Sequence, residues 1–291
     1  MNQISLFDFE FNNSQLSLKN ALLLAQASGL AYDLPDIIEK DARSKWSMKD
    51  FSFIQKDDSE CFIGANTDVI LLVFRGTEQN SLKDWITDFQ FRKKLGPWKL
   101  GVHRGFKEAV DLVWDEVYQR IVRLTKIANR PLFIAGHSLG GALATLATAN
   151  FLEENFPVKA LYTFGQPRVG GKLFVNKFNK SFKYTYRFVN NEDIVTRVPF
   201  KPFNYDHIGC LRYFDSDRNL RIEPDEKFIS QDRYKGVEVR STEEFHHLRH
   251  LYPNEFEDHG LGQYIYNIEK AIREESWKTR PDGNFLKYIN Q

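Results

Sequence analysis

Leu132-Phe133-Ile134-Ala135-Gly136-His137-Ser138-Leu139-Gly140-Gly141-Ala142 is the stretch that decides the fold. Pro131 to Ala135 reads as a short buried strand. Leu139 to Glu154, rich in Ala and Leu, reads as a helix that presents Ala144 and Ala147 for close contact with a sheet. Between them Gly136-His137-Ser138-Leu139-Gly140 is a G-x-S-x-G pentapeptide. In a nucleophile elbow the serine occupies a sharp strand-to-helix turn in strained dihedrals. Glycine is needed two residues to either side, because a side chain there would strike the neighbouring strand or helix. The strain is expected to lift the Ser138 hydroxyl into solvent at the rim of the sheet, where the positive end of the helix favours a developing oxyanion. The competing reading is a Gly-rich turn with a bystander serine. The pentapeptide alone is a weak signal, and its strand–turn–helix context carries the argument.

Outward from this turn the pattern repeats. Thr67 to Phe74 is a continuous Val/Ile/Leu-rich run, as in strands of parallel sheets covered on both faces. Val158 to Phe164 and Tyr184 to Val189 are further strands. Helical apolar faces run through Ser17 to Tyr32, Val102 to Ala128, and the stretches near Lys172 to Phe178 and Gly262 to Glu274. His207 to Ile222 suggests an antiparallel hairpin, while Glu226 to Arg249 is highly charged and poorly patterned. Strands alternating with helices predict an α/β fold with a mostly parallel central sheet flanked by helices on both faces. No repeat or linker divides the chain, so residues 1–291 are read as one domain, with 1–16 and 276–291 as terminal extensions.

The bulk composition excludes some partners. Lys plus Arg numbers 40 against 39 Asp plus Glu, so no net field draws the chain to nucleic acid or to anionic lipid. The longest apolar runs fall well short of the ~20 residues of a transmembrane helix. Two cysteines, Cys61 and Cys210, do not make a disulfide scaffold and fit a reducing compartment. Met1 to Phe11 is acidic and has no basic start followed by an apolar run, which reads as no signal peptide and gives the expectation of a cytoplasmic protein, with export by another route left open.

Taken with the elbow, three further stretches resemble the class 3 (fungal-type) lipases, a family of α/β-hydrolases. They are Val73-Phe74-Arg75-Gly76-Thr77, Val102-His103-Arg104-Gly105-Phe106, and Thr163-Phe164-Gly165-Gln166-Pro167-Arg168-Val169-Gly170. The resemblance implies a serine hydrolase that cleaves carboxylic esters of lipids through a Ser-His-Asp triad and an acyl-enzyme, with no cofactor and no metal.

In hydrolases of this fold the triad runs Ser, then Asp or Glu, then His along the chain. Asn190 to Val195 follows an apolar run, and a loop carboxylate past the C-terminal end of a sheet strand stands where such folds keep functional groups. Asn191 to Pro199 also resembles the family's N-x-D-x-V-x-x-x-P segment, which selects Asp193 over Glu192. Among the histidines, His103 and His137 precede the acid, and His246, His247 and His250 lie in the charged stretch. His207 opens a strand and resembles a structural segment of the family. His259, in a loop before the last helix, is preferred to His207 as the base, in the place where the family keeps it. The oxyanion donors are expected to be the Leu139 N–H and, from the loop closing the run Thr67 to Phe74, Thr77.

Leu82, Trp85, Ile86 and Phe89 fall at helical spacing within Ser81 to Phe91, opposite Lys83, Asp84 and Asp88. An amphipathic helix beside the oxyanion hole suits a lid that makes transient contact with a lipid interface, and equally suits an ordinary docked helix. Rival readings remain: an esterase or phospholipase A1-type enzyme on other esters, an inactive lipase-fold interaction module, and a metallohydrolase. For the last, His246 and His250 are four apart with Glu243, Glu244 and Glu257 near, yet a zincin helix needs Glu directly after its first His, where His247 stands.

Overall fold

A computed structural model of the chain describes residues 9–78, 81, 92–200, 203–241 and 258–274. Its centre is an eight-stranded sheet built from β1 (Asp50–Lys56), β2 (Ser59–Ala65), β3 (Ile70–Phe74), β6 (Leu132–His137), β7 (Ala160–Phe164), β8 (Thr185–Asn190), β9 (Cys210–Phe214) and β10 (Leu220–Ile222), in that spatial order. The short strands β4 (Lys93–Leu95) and β5 (Gly101–His103) pair apart from it. From β3 through β6, β7, β8 and β9 every neighbour is parallel. Antiparallel hairpins close both edges, β1 on β2 and β9 on β10. All residues of β3, β6, β7 and β8 are buried, because helices cover both faces of the parallel part.

The helices are α1 (Leu18–Leu30), α2 (Pro35–Trp46), α3 (Arg104–Ile127), α4 (Leu139–Glu153), α5 (Lys172–Ser181), α6 (Glu226–Ser241) and α7 (Leu261–Glu274). One face of the sheet packs on α3, α4 and α5 through Val110, Val113, Val117, Ala144, Ala147 and Phe178. The other packs on α1 and α7 through Leu23, Ala27, Tyr264 and Ile268. Since side chains alternate along a strand, neighbours separate by face: Leu72 and Phe74 of β3 join the first core, Leu71 and Val73 the second.

Capping explains where two helices start. The Ser17 hydroxyl accepts from the Asn20 N–H at 3.2 Å, and the His103 ring accepts from the Phe106 N–H at 3.3 Å. That capping is the structural use of His103. The hairpin expected over His207 to Ile222 is β9–β10, turned at Asp215, whose carboxylate accepts the Asn219 N–H at 2.8 Å. Three elements differ from the sequence reading. Glu226–Ser241 is helical where the charge pattern suggested no order, and both α2 and the β1–β2 hairpin lack the strong periodicity that marks the other elements.

Residues 9–17 dock on the sheet. Phe9 lies edge-on to Phe133 with ring centroids 4.8 Å apart, and the Ser17 N–H donates to the Tyr162 hydroxyl at 3.3 Å. The other extension, 276–291, lies outside the described residues. Phe9→Ala should therefore cost about 3 kcal/mol or more, as for a buried Phe leaving a cavity. Urea unfolding measures this, and a loss under about 1 kcal/mol, the range of surface positions, would contradict the packing.

Candidate active site

The turn after β6 is sterically clamped. Ser138 has φ 57° and ψ −131°, a conformation that non-glycine residues adopt only where the surroundings impose it. A Cβ on Gly136 would come within 2.3 Å of the Gly140 backbone, and one on Gly140 within 2.3 Å of the Phe74 carbonyl oxygen. Strand β3, the turn and the first turn of α4 therefore approach as closely as backbones can. The Ser138 N–H donates to the Phe164 carbonyl at 2.9 Å, which ties the turn to the end of β7.

Ser138 differs from the sequence expectation in one respect: its hydroxyl is buried, not lifted into solvent. The strained turn aims the side chain off the strand end, but surrounding chain closes over it. The Oγ has no hydrogen-bond partner, and neither has Nε2 of the equally buried His259. Unsatisfied buried polar atoms are costly and therefore few, so two at one end of the sheet call for a chemical explanation.

His259 is held from several directions. Its Nδ1 lies 3.0 and 2.9 Å from the two carboxylate oxygens of Asp193. A carboxylate only accepts, so Nδ1 carries a proton, and in the tautomer this selects Nε2 presents a lone pair. Asp193 is fully buried just past β8. Its Oδ1 accepts the Val195 N–H at 2.9 Å and its Oδ2 the Tyr264 hydroxyl at 2.5 Å. Burial pushes the Tyr264 hydroxyl well above its ordinary range, with the neighbouring Asp193 adding to the effect, so it stays a donor. The His259 loop is pinned through its backbone as well. Asn190 Nδ2 donates to the Asp258 carbonyl at 2.7 Å, and the Glu192 N–H donates to the Asp258 carboxylate at 3.3 Å.

His137 links this loop to the elbow. Its Nε2 lies 2.7 Å from the His259 carbonyl and its Nδ1 2.8 Å from the Tyr32 hydroxyl. The carbonyl cannot donate, so Nε2 bears the proton and Tyr32 donates to Nδ1. Burial holds the His137 ring well below its ordinary 6.5, with His259 nearby acting in the same direction, and it remains neutral. Gly165, at φ 61°, completes the floor. A Cβ there would stand 2.7 Å from Asp193 Oδ2 and 2.9 Å from the His259 ring. The segment Phe164–Gly165 thus touches Ser138 through its carbonyl and the His259–Asp193 pair through its Cα.

Thr77 follows the end of β3, beside β6 through the pair Phe74 and Gly136. Gly76 is pressed against the elbow, since a Cβ on it would meet the Tyr32 hydroxyl at 2.3 Å and the His137 carbonyl at 2.6 Å. Arg75 anchors this loop by ion pairs to Glu60, at 2.6 Å, and to Glu78. Leu139 opens α4, so its N–H has no intrahelical acceptor. The sites chosen from the sequence at 77, 136 to 140, 193 and 259 therefore gather at the C-terminal ends of β3, β6, β7 and β8. His207 stands apart from them, its Nε2 donating to the Thr196 carbonyl at 2.9 Å. Tyr32 and Tyr264 escaped the sequence reading. Tyr264 follows His259 by five residues on the next helix, a spacing that could have pointed to it, whereas nothing local marks Tyr32. The candidate lid residues Leu82, Trp85, Ile86 and Phe89 lie outside the described residues, as do His246, His247 and His250.

A mostly parallel sheet with a strained serine turn and a downstream His–Asp pair defines an α/β-hydrolase. The class 3 lipase model matches residues 71–203, the part of the chain that holds the serine turn and Asp193. The chain is 41% identical over 143 residues to secreted mono- and diacylglycerol lipase 1 of Fusarium solani, covering 46% of this chain and 41% of that protein. With triacylglycerol lipase OBL1 of Arabidopsis thaliana it shares 31% over 264 residues, covering 70% of this chain and 51% of the relative. The chain thus spans about half the length, or less, of these curated relatives. Among solved structures, a triacylglycerol lipase whose catalytic centre is a serine-protease-type triad matches with a TM-score of 0.60 at 26% identity, over 70% of this chain and 82% of that one. The expectation of a cytoplasmic protein is overturned by these relatives, since those from Fusarium solani and Penicillium cyclopium are secreted enzymes. The acidic N-terminus and the low cysteine count do not discriminate compartments here.

The buried His137 yields a pH prediction. Its folded pKa is depressed below 6.5, so beneath that pH the unfolded chain binds a proton that the folded chain does not. Stability should fall with a contribution of up to about 1.4 kcal/mol per pH unit as pH drops below about 6.5. Denaturant titrations at pH 7.5, 6.0 and 5.0 read this slope. His137→Gln should flatten it, and an unchanged slope in the variant would contradict a neutral buried ring.

Proposed function

We propose that the chain hydrolyses carboxylic esters of lipids, with Ser138 as nucleophile, His259 as general base and Asp193 as its orienting acid. The observation that carries this reading is the pair of buried, unpartnered atoms, the Ser138 hydroxyl oxygen and the His259 ring nitrogen opposite its Asp193 contact. An O–H donor and an imidazole lone pair are complementary, and a base oriented by a third group is the signature of an activated nucleophile. His259 takes the Ser138 proton as the oxygen attacks the ester carbonyl. The Leu139 N–H and Thr77 stabilise the resulting oxyanion, each such donor contributing about 3–4 kcal/mol at the transition state. The imidazolium then protonates the leaving alcohol. Water, activated by the same ring, releases the acid and restores the serine. Every step uses side chains and backbone donors of this chain together with one water.

The names of the relatives, mono-, di- and triacylglycerol lipases, support acylglycerols as the substrate class. Interfacial contact through the apolar positions Leu82, Trp85, Ile86 and Phe89 is part of the same proposal and rests on their spacing in the sequence.

Hydrolysis of p-nitrophenyl esters from C2 to C16, with and without detergent, tests the reading. Ser138→Ala should lower kcat by about 10³-fold or more, as removal of a triad nucleophile does, while unfolding stays within about 1 kcal/mol of the parent. Retained turnover in the variant would rule the mechanism out. Preference for C2 esters with no response to detergent would redirect the substrate class to small soluble esters.

A further inference from the structure

Beside the Asp193 loop, away from the serine turn, the structure holds a cavity of about 620 Å³. Four arginines line it, Arg168, Arg187, Arg197 and Arg233, together with only two carboxylates, Asp206 and Glu226. Among the described residues Arg168, Arg187 and Arg233 form no ion pair, whereas Arg75, Arg130, Arg212 and Arg221 each form at least one. Arg187 is only 7% exposed, and its one hydrogen bond runs from Nε to the Ile208 carbonyl at 3.3 Å. No hydrogen bond runs from its outer nitrogens among the described residues. Arg233 uses Nε on the Asn191 carbonyl at 3.0 Å, and Arg168 donates from one outer nitrogen to the Arg197 and Pro199 carbonyls while its Nε is buried without a partner.

Desolvated cations that outnumber the carboxylates around them are costly to fold. Burial lowers the Arg187 guanidinium to about 10, opposed by the nearby Glu223 and Asp206 and reinforced by Arg168. Burial lowers Arg168 and Arg233 too; Asp206 and Glu226 oppose the shift at Arg168, and Arg197 adds to it at Arg233. A convergent set of guanidinium forks is the arrangement that matches phosphate oxygens two at a time. A carboxylate would answer one of these charges, whereas a phosphate dianion answers two. The volume lies within the range of small-molecule sites and leaves room for a polar group attached to the phosphate.

We propose that this cavity is a binding site for a phosphate monoester, held by Arg168, Arg187 and Arg233 and separate from the serine-centred site. The phosphate can be a soluble ester or the headgroup of a lipid, and both offer the same dianion. Two cavity residues, Thr196 and Arg197, follow Asp193 in a 3-10 turn, so an occupant would also brace the loop that carries the acid.

Thermal unfolding and calorimetric binding with glycerol 3-phosphate at constant ionic strength, against chloride alone, test the site. Flotation with phosphatidylcholine vesicles with and without phosphatidic acid tests the lipid source. Two variants accompany the parent. Arg187→Met removes the buried cation. Ser230→Glu, at an exposed position on the cavity wall, adds a carboxylate without touching the core. The expected result is a saturable rise in Tm with glycerol 3-phosphate, with affinity reduced about tenfold or more in Ser230→Glu and in Arg187→Met if the latter folds. Vesicle binding that requires phosphatidic acid and is lost in Ser230→Glu would identify a lipid headgroup as the source. Binding of glycerol 3-phosphate alone would identify a soluble ester. Absence of any phosphate-specific effect in both formats, or binding that Ser230→Glu leaves unchanged, would overturn the proposal.

Discussion

The whole arrangement depends on one close approach of backbones. Gly140 leaves no space for a side chain beneath the Phe74 carbonyl, and Gly136 leaves none beneath the start of α4. These contacts force Ser138 to a positive φ, costing of order 1–3 kcal/mol that the surrounding sheet must over-determine. The cores on the two faces of the sheet supply that surplus, with β3 and β6 buried along their whole lengths. A looser sheet would let the turn relax and would lose the fixed direction of the serine side chain.

The imidazole is set by a second, polar layer beneath the same strand ends. His137, Asn190 and Asp193 hold the short loop Asp258–His259 directly, and Tyr32 and Tyr264 hold His137 and Asp193 in turn. Each hydrogen-bond direction follows from chemistry. Carbonyls and carboxylates accept, so the protons on His137 and His259 have only one consistent placement. That placement leaves Nε2 of His259 as the one ring nitrogen of the pair with no partner. Buried networks of this kind rigidify a site when every other member is satisfied.

Much of this was legible in the sequence because the relevant signals are local. The elbow needs glycine at 136 and 140 for steric reasons visible in five residues, and continuous apolar runs mark strands buried on both faces. The pairing of Asp193 with His259 was anticipated from chain order and loop position together with the resemblance to the class 3 lipases. The exposure of Ser138 was misjudged, because how much chain closes over a turn is a tertiary property. Tyr32 was invisible for the same reason, since its partner His137 is 105 residues away. The arginine cavity was equally hidden: Arg168, Arg187, Arg197 and Arg233 are scattered singly along the chain and come together only after folding. Helix α6 was missed because charge is spread around it and no apolar stripe stands out.

The central claim is that Ser138 is an activated nucleophile despite its burial. Reaction with a fluorophosphonate, followed by peptide mass analysis of the full chain, tests this most directly. The account predicts a single covalent adduct on the peptide containing Ser138, formed far more slowly when His259 is replaced by Ala and absent in Ser138→Ala. A chain that remains unmodified, or that is labelled at another residue with Ser138 untouched, would contradict it.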